Sequence, residues 1–250
     1  MKKRLLSLFT VLVLALASVC AAFAETPAAS FGTPGSIVSF GRYEQDGDEA
    51  NGPEPIEWLV LDVKDERSLL VSRYALDCVP YHTKDEKITW AQCSLRKWLN
   101  GEFLQTAFTE AEQEAIPEAK VDNSQKQSLR RWNNWKKTKG GRDTKDRVFL
   151  LSYLEAKQYL SVVWDGDNNP KGALPMTEYV SRKTADSRYR CREEDDPGYG
   201  HIRWWLRSPG YLQDLVATVQ ETGVLIAVGS TSEEIAVRPA IRVDLDRINP

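Results

Sequence analysis

The stretch that most constrains this chain is Trp204-Trp205-Leu206-Arg207-Ser208-Pro209-Gly210, close to the C-terminus. Two adjacent tryptophans followed by Leu and Arg read as a short buried strand that throws a cation to one side, and Ser-Pro-Gly ends it as a turn. Three more apolar runs come after it, Ala217 to Val219, Val224 to Val228 and Ile235 to Leu245, separated by turns at Gly223 and at Gly229 to Ser232. This spacing predicts an antiparallel meander at the C-terminal end.

The opposite end carries an address. Lys2, Lys3 and Arg4 form a basic start, Leu5 to Val19 an apolar core and Ala22-Phe23-Ala24 a small-x-small cleavage site, the layout of a secretory signal over residues 1–24. The apolar run is too short for a membrane span. Cys20 invites a lipoprotein reading, but Val19 stands where such a site wants Gly, Ala or Ser. Of 33 basic and 36 acidic residues, cleavage removes three basic ones and no acid, leaving 30 against 36 and a net charge of -6. That balance argues against a general nucleic-acid binder. Cys78, Cys93 and Cys191 remain in the mature chain. In an exported protein Cys78 and Cys93, close in sequence and flanking a polar loop, are the expected disulfide, with three buried reduced thiols as the alternative.

The mature chain begins with a loose Pro/Ala/Ser/Gly-rich tail over residues 25–35, and no linker interrupts the chain beyond it, so residues 36–250 read as one domain. Ile37 to Tyr43 reads as a strand, and Ile56 to Val63 with Ser68 to Arg73 as a hairpin about the charged turn Lys64 to Arg67. Apolar residues on both faces of the Ile56–Val63 run place it inside a sheet rather than at an edge. Ser94 is positioned to cap a helix whose face holds Leu95, Trp98, Leu99 and Phe103. Thr109 with Glu112 and Ser152 with Glu155 form two capping boxes, each opening a further helix, and Thr177 to Lys183 gives a weaker helical pattern. Arg147 to Leu151 reads as a buried strand. The fold class is therefore α+β, a largely antiparallel twisted sheet with two or three helices.

Chemistry is read most readily from three groups of residues. Arg207 and Arg238 each sit in or beside an apolar strand and need an internal acid, such as Asp77 or Asp244, a carbonyl cluster, or an anionic ligand. Trp132 and Trp135 lie in KQSLRRWNNWKKTKGGRDTKDR, which from Lys126 to Arg147 holds nine basic residues against two acids. Exposed indoles stack on the apolar faces of sugars while amides such as Asn133 and Asn134 bind hydroxyls, so this loop is the expected ligand contact; the alternative is a solvated loop whose tryptophans fold back. Asp46, Asp48 and Asn51, and again Asp165, Asp167 and Asn169, resemble calcium loops, yet Ala50, Pro170 and Met176 depart from the EF-hand pattern and plain Asx turns are the simpler reading. His82 and His201 lack a nucleophile partner in any recognisable motif, so no catalytic residue is assigned.

Several motifs in order, GSIVSFGRYEQDGDEANGPEPIEWLVLD, LDCVPYHT, TWAQCSLRKWLNGEF, AFTEAEQEAI, DRVFLLSYLEA, WWLRSPG and VRPAIRVDL, resemble the bacterial domain-of-unknown-function family 6273. More loosely, the order of strands, helices and a C-terminal hairpin system with Arg-Pro-Ala resembles the C-type-lectin-like fold of formylglycine-generating-enzyme relatives and retroelement-diversified binding proteins. The cysteine pair of formylglycine-generating enzymes lies in the C-terminal part of that fold and does not match Cys78 and Cys93, so that activity is not implied. The reading is a secreted, non-catalytic binding module for a glycan or another surface polymer, with no cofactor unless calcium occupies the Asp-rich loops. A cell-wall or glycan hydrolase built from paired carboxylates and a structural or protein-partner-binding module are the rival readings.

Overall fold

A computed structural model of the chain describes residues 28–127, 138–162, 168–190 and 194–248. The expected signal segment 1–24 with Cys20, residues Trp132, Asn133, Asn134, Trp135, Asp165 and Asp167, and Cys191 lie outside the described residues.

The chain opens with α1 (Ala28–Phe31), β1 (Ile37–Tyr43), β2 (Glu54–Lys64), β3 (Arg67–Ser72) and β4 (Asp77–Pro80). α2 (Ser94–Trp98) continues through a π-helical stretch, Leu99–Phe103, into α3 (Leu104–Ala107), and α4 (Glu110–Ala115) comes next. Then come β5 (Ala119–Val121), β6 (Thr144–Asp146), β7 (Val148–Phe149), α5 (Tyr153–Leu160) and α6 (Glu178–Lys183). The chain closes with β8 (Trp204–Pro209), β9 (Leu215–Val219), β10 (Leu225–Ser230), β11 (Glu234–Val237), β12 (Ala240–Asp244) and α7 (Leu245–Ile248). The fold is α+β, with sheets that are antiparallel but for one pairing.

The expected helix starts are present with their chemistry. Thr109 and Ser152 each accept the backbone N–H of the residue three positions on, and Glu112 and Glu155 each return the bond to the cap N–H, so both capping boxes are complete. Thr177 caps α6. The cap of α2 is Cys93 rather than Ser94, because the Cys93 sulfur accepts from the Arg96 N–H at 3.4 Å. Among the described residues no helix is long and apolar enough to cross a membrane.

Two five-stranded sheets form the body, in the orders β1-β2-β3-β12-β7 and β10-β9-β8-β11-β4, with β5 and β6 as a separate pair. β2 lies inside its sheet, as its two apolar faces predict. The helical stretch from α2 to α3 lies against the first sheet through rings: Phe103 contacts Tyr43, Trp98 and Phe108, and Phe108 stacks near Trp58. Trp58, Trp90, Trp204 and Trp205 are fully buried, and each indole N–H finds an acceptor: Phe40 O, Asp146 Oδ2, Gly172 O and Val79 O respectively. A buried indole without an acceptor would leave a polar N–H unsatisfied, so these bonds orient the rings as well as stabilise them.

The predicted C-terminal meander holds only from β8 to β10. The run from Ile235 to Leu245 is not one strand: Arg238-Pro239 divides it, and β11 and β12 belong to different sheets. Proline has no N–H to donate and fixes φ, so a ladder cannot pass through Pro239 unbroken. β11 instead pairs antiparallel with β4 and meets β8 in parallel at Ala236 and Trp204. β12 pairs with β3, so the segment β3 to β4 runs antiparallel to β11 and β12 as one ribbon creased where it changes sheets. Ser72 N–H to Pro239 O (2.9 Å) and Leu76 N–H to Val237 O (3.2 Å) carry the ribbon across the crease.

Candidate functional site

The two arginines of the C-terminal strands do different things. Arg207 is 2 % exposed, and its five N–H groups are all engaged internally. Nε donates to Asn123 Oδ1 (3.2 Å), Nη1 to Leu150 O (2.7 Å) and to Glu155 Oε2, and Nη2 to Asp122 O (3.1 Å) and Glu155 Oε1 (3.1 Å). A guanidinium has five such donors, so none is left for a ligand. Its acid partner is Glu155, not Asp77 or Asp244. Glu155 therefore serves twice, as the third residue of the α5 capping box and as the fork that receives Arg207. Burial would raise the Glu155 pKa, but the charge and hydrogen bonds of Arg207 outweigh it and hold the carboxyl below its ordinary value.

Arg207 is the centre of a fastening between β8 and the 122–147 loop. Ser208 Oγ donates to Gln127 O (2.6 Å), and Ser152 Oγ donates to Gln127 Oε1 (2.7 Å). On the other side of the loop Thr138 Oγ1 donates to Gly210 O (3.0 Å), Lys139 N–H to Gln213 Oε1 (2.8 Å) and Gln213 Nε2 to Lys139 O (2.9 Å). The residues flanking the segment that carries Trp132, Asn133, Asn134 and Trp135 are thus both bonded to the end of β8 and the turn after it. Asn123, Gln127, Gly140, Arg207, Ser208 and Pro209 line a shallow hollow at this base. Only the loop residues themselves are legible in sequence; the fastening through Gln127, Thr138 and Gln213 has no local signature.

Arg238 is also buried, at 4 % exposure, but sits in the crease of the β3–β4 and β11–β12 ribbon. Its Nε donates to Ser72 O (3.0 Å), and its guanidinium lies 5.0 Å from the centre of the Trp204 ring. Nη1 is buried without a hydrogen-bond partner, and no carboxylate pairs with Arg238 among the described residues. Burial lowers its pKa to about 10. A folded pKa below the unfolded value of 12.5 means that the buried charge opposes folding, a cost that fades as pH rises from about 10. Replacing Arg238 by Met removes that cost together with one hydrogen bond and the ring contact, so R238M is expected to change stability at neutral pH by only about 1 kcal/mol. Urea unfolding checks this; a loss as large as that of an ion-paired arginine would show that the charge is compensated after all.

Cys78, Cys93, the described residues of the Asp-rich loops and the histidines make internal contacts. Cys78 and Cys93 are both buried and free, so the expected disulfide is not formed. Cys78 is paired in β4 opposite Ala236, and the Cys93 sulfur is occupied in capping α2 and contacting Trp90 O. Burial pushes both thiols up, Cys93 to about 12, which leaves them protonated and unreactive at neutral pH. Asp46 accepts from Asp48 N–H and Asn51 Nδ2, and Asp48 accepts from Ala50 N–H, the bonds of consecutive Asx turns. Glu44, Asp46 and Glu54 bring carboxylate oxygens within 4.8 Å of one another. Asn169 bonds Leu160 O and Lys171 N–H. His82 accepts Ser94 N–H through Nδ1 and meets Glu86 through Nε2, while His201 Nδ1 lies 3.0 Å from Tyr199 O.

One cluster has no sequence signal at all. Asp77, 5 % exposed, receives Tyr43 Oη (2.6 Å) and Lys183 Nζ (2.6 Å), joining β1, β4 and α6. Burial raises the tyrosine pKa and would lower that of the lysine, but Asp77 overrides burial at Lys183 and holds its ammonium charged. Neither group is tuned to exchange a proton at neutral pH, so the trio fastens elements rather than offering acid–base chemistry.

A family model described as Domain of unknown function (DUF6273) matches residues 65–245. No curated protein and no solved structure matches.

Proposed function

Because the chain belongs to the domain-of-unknown-function family DUF6273, whose description states no activity, function must be read from its own geometry, and we propose a secreted, non-catalytic binding module for a glycan or another cell-surface polymer. In this reading the body is a C-type-lectin-like scaffold for the Trp132/Trp135 loop. The observation that supports it is the double fastening of that loop: Gln127 on one flank and Thr138 with Lys139 on the other are bonded to β8 and the turn after it. A loop carrying two tryptophans, two asparagines and a surplus of cations is held by its flanks on a rigid strand, the arrangement in which binding loops lose least entropy on engaging a ligand. Arg207 acts through this base rather than by contact with the ligand.

The test is binding of the purified chain lacking residues 1–24, which keeps every described element, to bacterial and host glycans. Trp132→Ala/Trp135→Ala is expected to weaken binding by about tenfold to a hundredfold, since each stacked indole contributes on the order of 1 kcal/mol. A chelator is expected to leave binding unchanged. Retention of full affinity in the double variant would overturn the assignment of the loop, and no binding to any glycan would favour a protein partner.

A further inference from the structure

β2 has two unlike faces. Ile56, Trp58 and Val60 are buried, whereas Leu59 and Leu61 on the alternate positions are half-buried. Pairing with β3 slips by one residue between Val60 and Asp62, so Leu61 is the extra residue of a bulge. A bulge interrupts the alternation and re-aims the next side chain, which brings Asp62 to the half-buried face, where Tyr159 of α5 donates its hydroxyl to Asp62 Oδ2 at 3.0 Å. Beside this contact lies a groove of about 310 Å³ lined by Leu59, Val60, Leu61, Tyr159, Leu160 and Lys171. Gly35 completes the rim, and a Cβ built there would meet nothing within 4 Å, so that side is open. Ile37, directly opposite Leu59 on β1 and 40 % exposed, extends the apolar strip toward the sheet edge.

The charges at the groove are few and unequal. Asp62 is engaged, with Oδ2 accepting from Tyr159 and Oδ1 from Val63 N–H. Lys171 is exposed and, among the described residues, is the single charged residue of the lining and makes no ion pair. A cavity of this size, walled by leucines with one convergent cation, fits the general pattern of small-molecule sites. Sugars would leave the leucines without apolar partners, cationic ligands would be repelled by Lys171, and polyphosphates would find one cation where they need several.

We propose that this groove binds a small amphiphile with an apolar body of acyl-chain or aryl type and a single anionic head, the body lying on Leu59, Leu61 and Leu160 and the head meeting the Lys171 ammonium. The site is separate in its residues from the Trp132/Trp135 loop, so either can fail without the other.

The probes are decanoate and its neutral counterpart decanol, titrated calorimetrically into the purified chain lacking residues 1–24. Decanoate is expected to bind saturably. Lys171→Glu is expected to weaken decanoate about tenfold and to leave decanol unchanged, because only the acid uses the head contact. Leu59→Trp, which fills the groove, is expected to abolish binding of both. Lys171 is exposed, so K171E keeps the wild-type thermal midpoint and carries the test even where L59W does not fold. Absence of saturable decanoate binding, an equal effect of K171E on acid and alcohol, or full affinity in a folded L59W would each overturn the proposal.

Discussion

Arg207→Met is expected to lower the unfolding free energy by about 3–5 kcal/mol, the scale for removing one partner of a buried ion pair. The loss does not come from the missing arginine alone. Glu155, half-buried, is left with its guanidinium fork gone, and Asn123 Oδ1, Leu150 O and Asp122 O lose the same donor at once. Arg207→Met/Glu155→Gln should recover part of the deficit, because the second change removes the orphaned charge while the amide retains acceptors for the Ser152 cap. Proton linkage gives an independent signature. In the wild type the Glu155 pKa lies below its ordinary 4.5, so its contribution is fully present above that value and is lost as pH falls through the folded pKa. In R207M only the Ser152 hydrogen bonds still oppose burial, so the folded pKa of Glu155 rises relative to the wild type and less stability is lost on acidification. The gap in stability between the two proteins should therefore narrow as pH drops below about 4.5, where the wild type begins to lose the Glu155 contribution. Urea unfolding across pH measures it; a gap below 1 kcal/mol, or one indifferent to pH, would show that Arg207 is not the pin of this region. The same variant should weaken glycan binding, since both flanks of the loop depend on the strand that Arg207 anchors.

That pin shows where sequence reading reaches its limit. The capping boxes at Thr109 and Ser152 are legible because their partners lie three residues apart, within the range that local geometry fixes. β1 is legible over its full span for a similar reason: a short run of strand-forming residues closed by a polar, Gly-bearing loop is a property of consecutive positions. Glu155 reads as a cap and is one, but its second role depends on an arginine 52 positions away, and nothing in the local pattern distinguishes a cap glutamate that also holds a distant cation. Arg207 and Arg238 look alike in sequence, each a lone cation in an apolar run, and the fold separates them: one is saturated beside an acid, the other lies in a crease over Trp204. Pro239 is visible in the sequence, yet the run around it reads as continuous, because apolar composition suits a strand in either sheet and says nothing about which one it joins. The bulge at Leu61 is equally silent, since an extra residue in a ladder is defined by the partner strand and not by the strand that carries it.

Trp205→Ala is expected to cost about 3–5 kcal/mol, and the reason lies in how far the indole reaches. β11 stands between β8 and β4 in the sheet, yet Trp205 Nε1 donates to Val79 O of β4 at 3.0 Å, so one side chain ties together strands that are not neighbours. The ring also lies 5.6 Å from that of Tyr81, whose hydroxyl donates to Arg207 O. Removing it opens a cavity, orphans a carbonyl and loosens the residue that carries the loop anchor. The other side of the ring explains a glycine. β9 and β10 slip register between Ile226 and Gly229, and a Cβ at Gly229 would stand 2.6 Å from the Trp205 ring. Gly229→Ala should therefore destabilise by about 1–3 kcal/mol through overpacking alone. If ring and glycine are shaped to each other, the two losses cannot add: with the indole gone, the alanine methyl enters the space it vacated. Trp205→Ala/Gly229→Ala should then lose less than the sum of the two single changes, the Thr218 methyl, 2.9 Å from the same Cβ, keeping a remainder. Thermal unfolding of the four proteins settles the point, and simple additivity would mean that the Thr218 methyl, and not the tryptophan, sets the need for glycine at 229.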